Sequence, residues 1–89
     1  MKAVITVTGR DTVGIIASVS AVCAEHGVNI CDITQSVLGD YFAMIMLAEI
    51  EGLTIKFADF VDKLTALGES RGLVIHTMHE DIFNSMHRI

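Results

Sequence analysis

The chain has no proline and no tryptophan, and one tyrosine and four phenylalanines are its only aromatic residues. Without proline, no helix is broken from inside and no strand is confined to an edge by a missing donor. Nothing reads as a proline-rich spacer or as a low-complexity tail, so residues 1–89 read as one domain. Charge is scarce as well: 19% of residues are charged, and eleven acidic against six basic side chains give a net charge of −5. That balance argues against a nucleic-acid backbone as partner and against an anionic membrane surface. No apolar run approaches the roughly 20 residues of a membrane span. The opening Met1-Lys2-Ala3-Val4-Ile5-Thr6-Val7 lacks the long apolar core and cleavage site of a secretory signal, and reads as a strand. There are two cysteines, Cys23 and Cys31, without metal-type or redox-type spacing. They fit reduced, buried thiols in a cytoplasmic protein.

Apolar residues are plentiful, at 52% of the chain against the usual 45 to 50% or so. A domain of this length buries only about 60 to 65% of its unfolded surface. The composition therefore predicts more apolar surface than one small core hides, and a homo-oligomer, in the simplest case a dimer.

Read in order, residues 2–8 alternate, with Ala3, Ile5 and Val7 on one face, which predicts a strand. A helix over 13–26 follows, with Ile15 or Ile16, Val19, Val22 and Cys23 as its apolar stripe and Gly27 as its stop. Residues 28–38 form a second strand whose parity switches between Ile30 and Ile33, predicting a β-bulge near Cys31-Asp32. Gly39-Asp40 turns the chain into a third strand over 41–50 as an antiparallel hairpin. Both faces of that strand are apolar: Tyr41, Ala43, Ile45 and Leu47 on one, Phe42, Met44, Met46, Ala48 and Ile50 on the other. It is expected to be buried on both sides, by the helices on one and most simply by another copy of the chain on the other. Thr54 is the expected cap of a second helix over 55–70, in which Phe57, Phe60, Val61, Leu64 and Leu67 keep helical spacing. A fourth strand spans 73–79, and Asp81 is placed to cap a short last helix carrying Ile82, Phe83, Met86 and Ile89. The pattern βαββαβ is that of an α+β, ferredoxin-like sandwich, a four-stranded antiparallel sheet with two helices on one face. A core over about 1–80 is followed by a helical extension over about 81–89.

The stretch Thr8-Gly9-Arg10-Asp11-Thr12-Val13-Gly14-Ile15-Ile16 is the candidate site. It joins the first strand to the first helix. A helix start has unpaired backbone N–H groups and the positive end of the dipole, which suit a carboxylate. Gly14 lacks a Cβ and permits close approach. The plainer reading is that Asp11 or Thr12 caps the helix and the glycines serve the turn.

Other residues carry less. His76, His79 and His87 with Glu80 and Asp81 suggest metal binding, but His76 and His79 point to opposite faces of a strand, and zinc asks for a tighter ligand set. Solvated or interface histidines are the simpler account. Cys31 has no evident histidine partner, and the serines Ser18 and Ser20 lie on the helix. The five methionines read as packing filler. The fold also hosts heavy-metal chaperones and RNA-recognition modules. The loop holds no cysteine pair, and the strands carry few aromatics.

The run Ile5-Thr6-Val7-Thr8-Gly9-Arg10-Asp11-Thr12-Val13-Gly14-Ile15-Ile16, with His26-Gly27-Val28-Asn29-Ile30 and Asp32-Ile33-Thr34-Gln35, resembles the ACT domain family. It is closest in pattern to the small stand-alone members related to the glycine cleavage system's regulatory protein. The resemblance covers the whole chain, with residues 78–89 as a subfamily extension. It implies a non-catalytic regulatory module without cofactor, acting as a homo-oligomer and binding a small molecule, often an amino acid, between ACT copies. Carried over, the ligand positions are Asp11, Val13, Gly14 and Ile15 with Asn29 and Ile30. A ligand-free dimerisation or partner-binding module, and a metal-binding protein using the C-terminal histidines, are the alternatives.

Overall fold

The computed structural model describes residues 1–10 and 13–86. Seven elements follow one another: β1 (Lys2–Arg10), α1 (Ile15–Glu25), β2 (Asn29–Leu38), β3 (Tyr41–Glu49), α2 (Phe57–Arg71), β4 (Val74–His79) and α3 (Glu80–Met86). The strands form one antiparallel sheet in the order β2-β3-β1-β4. This is the ferredoxin-like fold expected from the pattern.

Alternation decides the core. Ala3, Ile5 and Val7 of β1, Phe42, Met44, Met46 and Ala48 of β3, and Ile75 of β4 lie on one face of the sheet. Ile15, Val19 and Cys23 of α1 and Phe60 and Leu64 of α2 close over them. A Cβ on the buried Gly68 of α2 would sit 2.9 Å from the Leu73 carbonyl, so the missing side chain lets α2 lie close to β4.

The bulge falls where the parity switched. The register slips between Ile30, opposite Ala48, and Asp32, opposite Leu47. One extra residue puts Ile30, Ile33 and Val37 opposite Ala48, Met46 and Phe42, all on the helix side. Cys31 is left in the bulge and is exposed, whereas Cys23 is buried; the expectation of two buried thiols holds for Cys23 alone.

Three boundaries differ from expectation for identifiable reasons. α1 starts at Ile15 and not at 13, because Gly14, at φ 83°, sits in the left-handed region and ends helical geometry on that side. α2 starts at Phe57 with Lys56 as an extended N-cap, not at 55 with Thr54. Leu53 and Ile55 pack against the core, and the Thr54 amide donates to the His26 carbonyl at 3.0 Å, which holds this segment off the helix axis. α3 starts at Glu80, so Asp81 lies in its first turn rather than before it.

The opposite face of the sheet is left largely open by the single chain. Tyr41 and Ile45 of β3 are 62% and 44% exposed, so within one chain β3 is buried on the helix side only. The exception is at one end. Val4 points outward by alternation and stands outside the main core, yet is 4% exposed. α3 packs on β1 and β4 there and shields Val4, with Leu47 and Met78 half-buried beside it.

Candidate functional site

The start of α1 is built by a reversal at Gly14, whose carbonyl accepts from the Ser18 amide at 3.0 Å and from the Ser18 hydroxyl at 3.1 Å. Among the described residues no side chain caps the helix, and its first turn carries no acidic residue. The amides of Ile15, Ile16 and Ala17 therefore have no helical acceptor. A Cβ on Gly14 would meet none of the described residues within 4 Å. Val13 is 93% exposed, while the Ile15 side chain is buried in the core and offers only its backbone. Asp11 lies outside the described residues, as does Thr12, its alternative as a cap.

Arg71 reaches this turn from the far end of α2, its Nη1 donating to the Val13 carbonyl at 3.4 Å. Sequence reasoning missed it. A basic residue in the last turn of α2 is visible in the sequence. Only the antiparallel run of α1 and α2 brings it 58 positions back along the chain, to the start of α1. Arg10 closes β1 at this same end and lines a cavity of about 390 Å³ with Val37, Gly39 and Asp40. In an acidic chain, the Arg71 guanidinium at the open end of a helix dipole makes this region favourable to an anion, whereas Arg10 shares its cavity with the Asp40 carboxylate.

Asn29 and Ile30 do not share that region. Asn29 begins β2 opposite Glu49, whose β1 partner is Lys2, whereas Arg10 lies opposite Tyr41 at the other end of the sheet. The two groups are separated by the length of α1, eleven residues, or roughly 16 Å. Within one chain, the structure gathers Val13, Gly14 and Ile15, and sets Asn29 and Ile30 apart from them.

β2 is an edge strand bonded only to β3. Residues 31–37 are all exposed, including Ile33 at 37% and Val37 at 65% on the side that should be core. α1 is the helix that borders this edge. The apolar edge lies beside the candidate site.

A cavity of about 500 Å³ lies at the opposite end and is lined by Met1, Lys2, His79, Glu80, Asp81 and Ile82. None of the candidate ligand residues borders it. His79 stacks on Phe57 with ring centroids 4.0 Å apart, on the helix side, whereas His76 is exposed on the other face. His87 lies outside the described residues. Among the described residues, no three His, Cys, Asp or Glu side chains stand close enough to hold a metal ion. Nor, among them, is any helix long and apolar enough to cross a membrane.

Comparison with known proteins places this geometry in a family. The sequence model described as "ACT domain" matches residues 2–77. The UPF0237 protein of Listeria innocua is 43% identical over 89 residues, covering all of both chains. The solved structure of an ACT domain protein from Streptococcus pneumoniae superposes with a TM-score of 0.80 at 38% identity, covering 93% of each chain. A putative glycine cleavage system transcriptional repressor matches with a TM-score of 0.68 at 26% identity. That match covers 85% of this chain but 43% of the longer protein. ACT domains are regulatory ligand-binding modules. With its core matched from β1 through β4 and full-length relatives of the same size, this chain belongs to the ACT domain family.

Proposed function

We propose that this chain is a non-catalytic, cytoplasmic regulatory module that binds an amino acid between two copies of itself. The observation that carries the reading is the split of the candidate site. Val13, Gly14 and Ile15 stand at one end of the edge strand, and Asn29 and Ile30 at the other. Pairing β2 antiparallel with a second β2 about a two-fold axis near Ile33-Thr34 turns one strand end-for-end against the other. The partner's Asn29 then lies beside Leu38, at the end where α1 starts. The four-stranded sheets become one of eight strands, the exposed Ile33 and Val37 are covered, and two equivalent sites form.

In each site, the Ile15, Ile16 and Ala17 amides receive the ligand's α-carboxylate. Arg71 adds favourable charge. Asp11 serves the α-ammonium, and the Asn29 amide of the second copy both donates and accepts. Ligand binding across the two-fold axis would couple occupancy to assembly.

The test is a thermal-shift panel of the twenty amino acids and divalent metals on protein of known oligomeric state, with Gly14→Leu alongside. Ligand at about a hundred times its dissociation constant adds roughly 2.7 kcal/mol, on the order of ten degrees for a domain of this size. One or two amino acids should raise the midpoint of the wild type and leave folded Gly14→Leu unmoved. A shift with metals alone would favour the C-terminal histidines. No shift at all would favour a ligand-free dimerisation module.

A further inference from the structure

The cavity at the β2–β3 hairpin holds two opposite charges. Its volume is about 390 Å³ and its walls are Arg10, Val37, Gly39 and Asp40, within the size range of small-molecule pockets. The sheet register brings these residues together. Arg10, the last residue of β1, lies opposite Tyr41, which follows Asp40 in the chain. Only residues 11–13 separate Arg10 from Gly14, so the cavity adjoins the start of α1. Guanidinium and carboxylate face one space without pairing. Among the described residues the ion pairs are those of the Met1 ammonium with Glu49 and Glu51. Neither the Arg10 nor the Asp40 side chain makes a hydrogen bond to another described group. A donor and an acceptor are left free on opposite walls, with the exposed Val37 as an apolar wall between β2 and solvent.

We propose that this cavity receives the side chain of the bound amino acid and selects a carboxamide, that of glutamine or asparagine. The inference rests on the amino-acid reading above and adds to it the class of amino acid. With the α-carboxylate on the amides that open α1 and the second copy's Asn29 beside Leu38, the bound ligand lies next to this hairpin.

Selection follows from the inventory of donors and acceptors. Arg10 only donates, and an ionised Asp40 only accepts. A carboxamide carries an acceptor oxygen and a donor NH₂ side by side on one planar group, so it serves both walls at once. A carboxylate side chain pairs with Arg10 but meets Asp40 as a like charge. An ammonium or guanidinium side chain pairs with Asp40 but meets Arg10. An apolar side chain takes water from both charges and returns no hydrogen bond. Val37 packs on the methylene stem that glutamine and asparagine share.

The experiment is titration calorimetry of the full chain with glutamine, asparagine, glutamate, aspartate, lysine, serine and leucine, repeated on Asp40→Lys and Arg10→Glu. Arg10 and Asp40 are both exposed in the single chain, so each variant keeps its core, and circular dichroism checks the fold. The wild type should bind glutamine or asparagine about tenfold or more tighter than the corresponding acid, because a site that hydrogen-bonds a group rejects the analogue lacking it. Asp40→Lys sets two cations on the cavity and should reverse that order in favour of the acid. Arg10→Glu sets two carboxylates there and should lose the amide without gaining the acid. If the wild type binds another amino acid in preference to both amides, the proposal is overturned while the amino-acid reading stands. It is overturned in the same way if both folded variants keep the wild-type order. If no amino acid binds, the two fall together. Should Asp40→Lys not fold, Arg10→Glu decides by the same criterion.

Discussion

At the scale of single residues, the two cysteines separate two environments that the sequence alone did not distinguish. Burial pushes the Cys23 thiol up to about 11, so at neutral pH it is a thiol enclosed by core side chains and is inert. Cys31, in the bulge of an edge strand, is open to solvent. Iodoacetamide at pH 8 should therefore label one thiol per native chain, and two after denaturation. Peptide mapping should place the native label on Cys31. Early labelling of Cys23 would mean that α1 opens locally.

A second residue-scale prediction concerns pH. The terminal ammonium of Met1 donates to Glu49 at 3.1 Å and to Glu51 at 3.4 Å. The Glu49 contact is the main cause that raises the amine above its usual 8.0, and that same ammonium holds Glu49 below its usual 4.5. The stabilisation is present between those two ordinary values. It fades as pH falls through the lowered Glu49 value, and again as pH rises through the raised amine value. Both groups are exposed, so the effect is small and screened by salt. In melting curves against pH, Glu49→Gln should flatten the acid limb and lose its difference from wild type in high salt.

At the scale of elements, the α1–β2 turn crosses the β3–α2 loop in close backbone contact. The Thr54 amide bonds the His26 carbonyl. A Cβ on Gly27, which is held at φ 74°, would drive into the Gly52 carbonyl. Gly14 has a similar φ of 83°, but no described residue stands within 4 Å of where its Cβ would be. Gly14→Ala therefore carries backbone strain alone, about 1 to 2 kcal/mol. Gly27→Ala adds a collision with main chain, so it should cost at least about 1 kcal/mol more. Urea unfolding of the two variants measures the difference, and equal losses would show that the crossing yields.

This crossing also shows where reading the sequence reached its limit. Alternation in 2–8 and 41–50 and helical spacing from Phe57 to Leu67 are local patterns. They located the strands, the second helix and even the bulge. Thr54 looks like a cap because its type favours one. Its amide is claimed by His26, a contact that exists only once two distant turns meet. The candidate site divides in the same way. Gly14 and the open helix start were legible from a β run, two glycines and an apolar periodicity. Arg71 was not, because its place depends on how α2 runs beside α1. The separation of Asn29 from Gly14 was not legible either, since it follows from strand direction.

At the scale of the whole molecule, the excess of apolar residues appears as two uncovered surfaces, the β2 edge and the outer sheet face. They have different consequences, which separates their tests. On the reading proposed above, the β2 edge builds the ligand site, so blocking it splits the edge pair and removes the response together. Val37 is 65% exposed, so Val37→Lys leaves the monomer core intact and places on the edge a charge that opposes strand pairing. It should halve the assembly mass and abolish the amino-acid shift. Ile45→Lys acts on the other surface. It should halve the mass while the edge pair and its two sites survive, so the amino-acid shift should remain. Midpoints of the wild type should also rise with protein concentration, since association stabilises by mass action, and should rise less steeply in either variant. If Val37→Lys lost mass but kept the full ligand shift, the site would lie within one chain. The start of α1 with Arg71 and Arg10 would then be the whole of it.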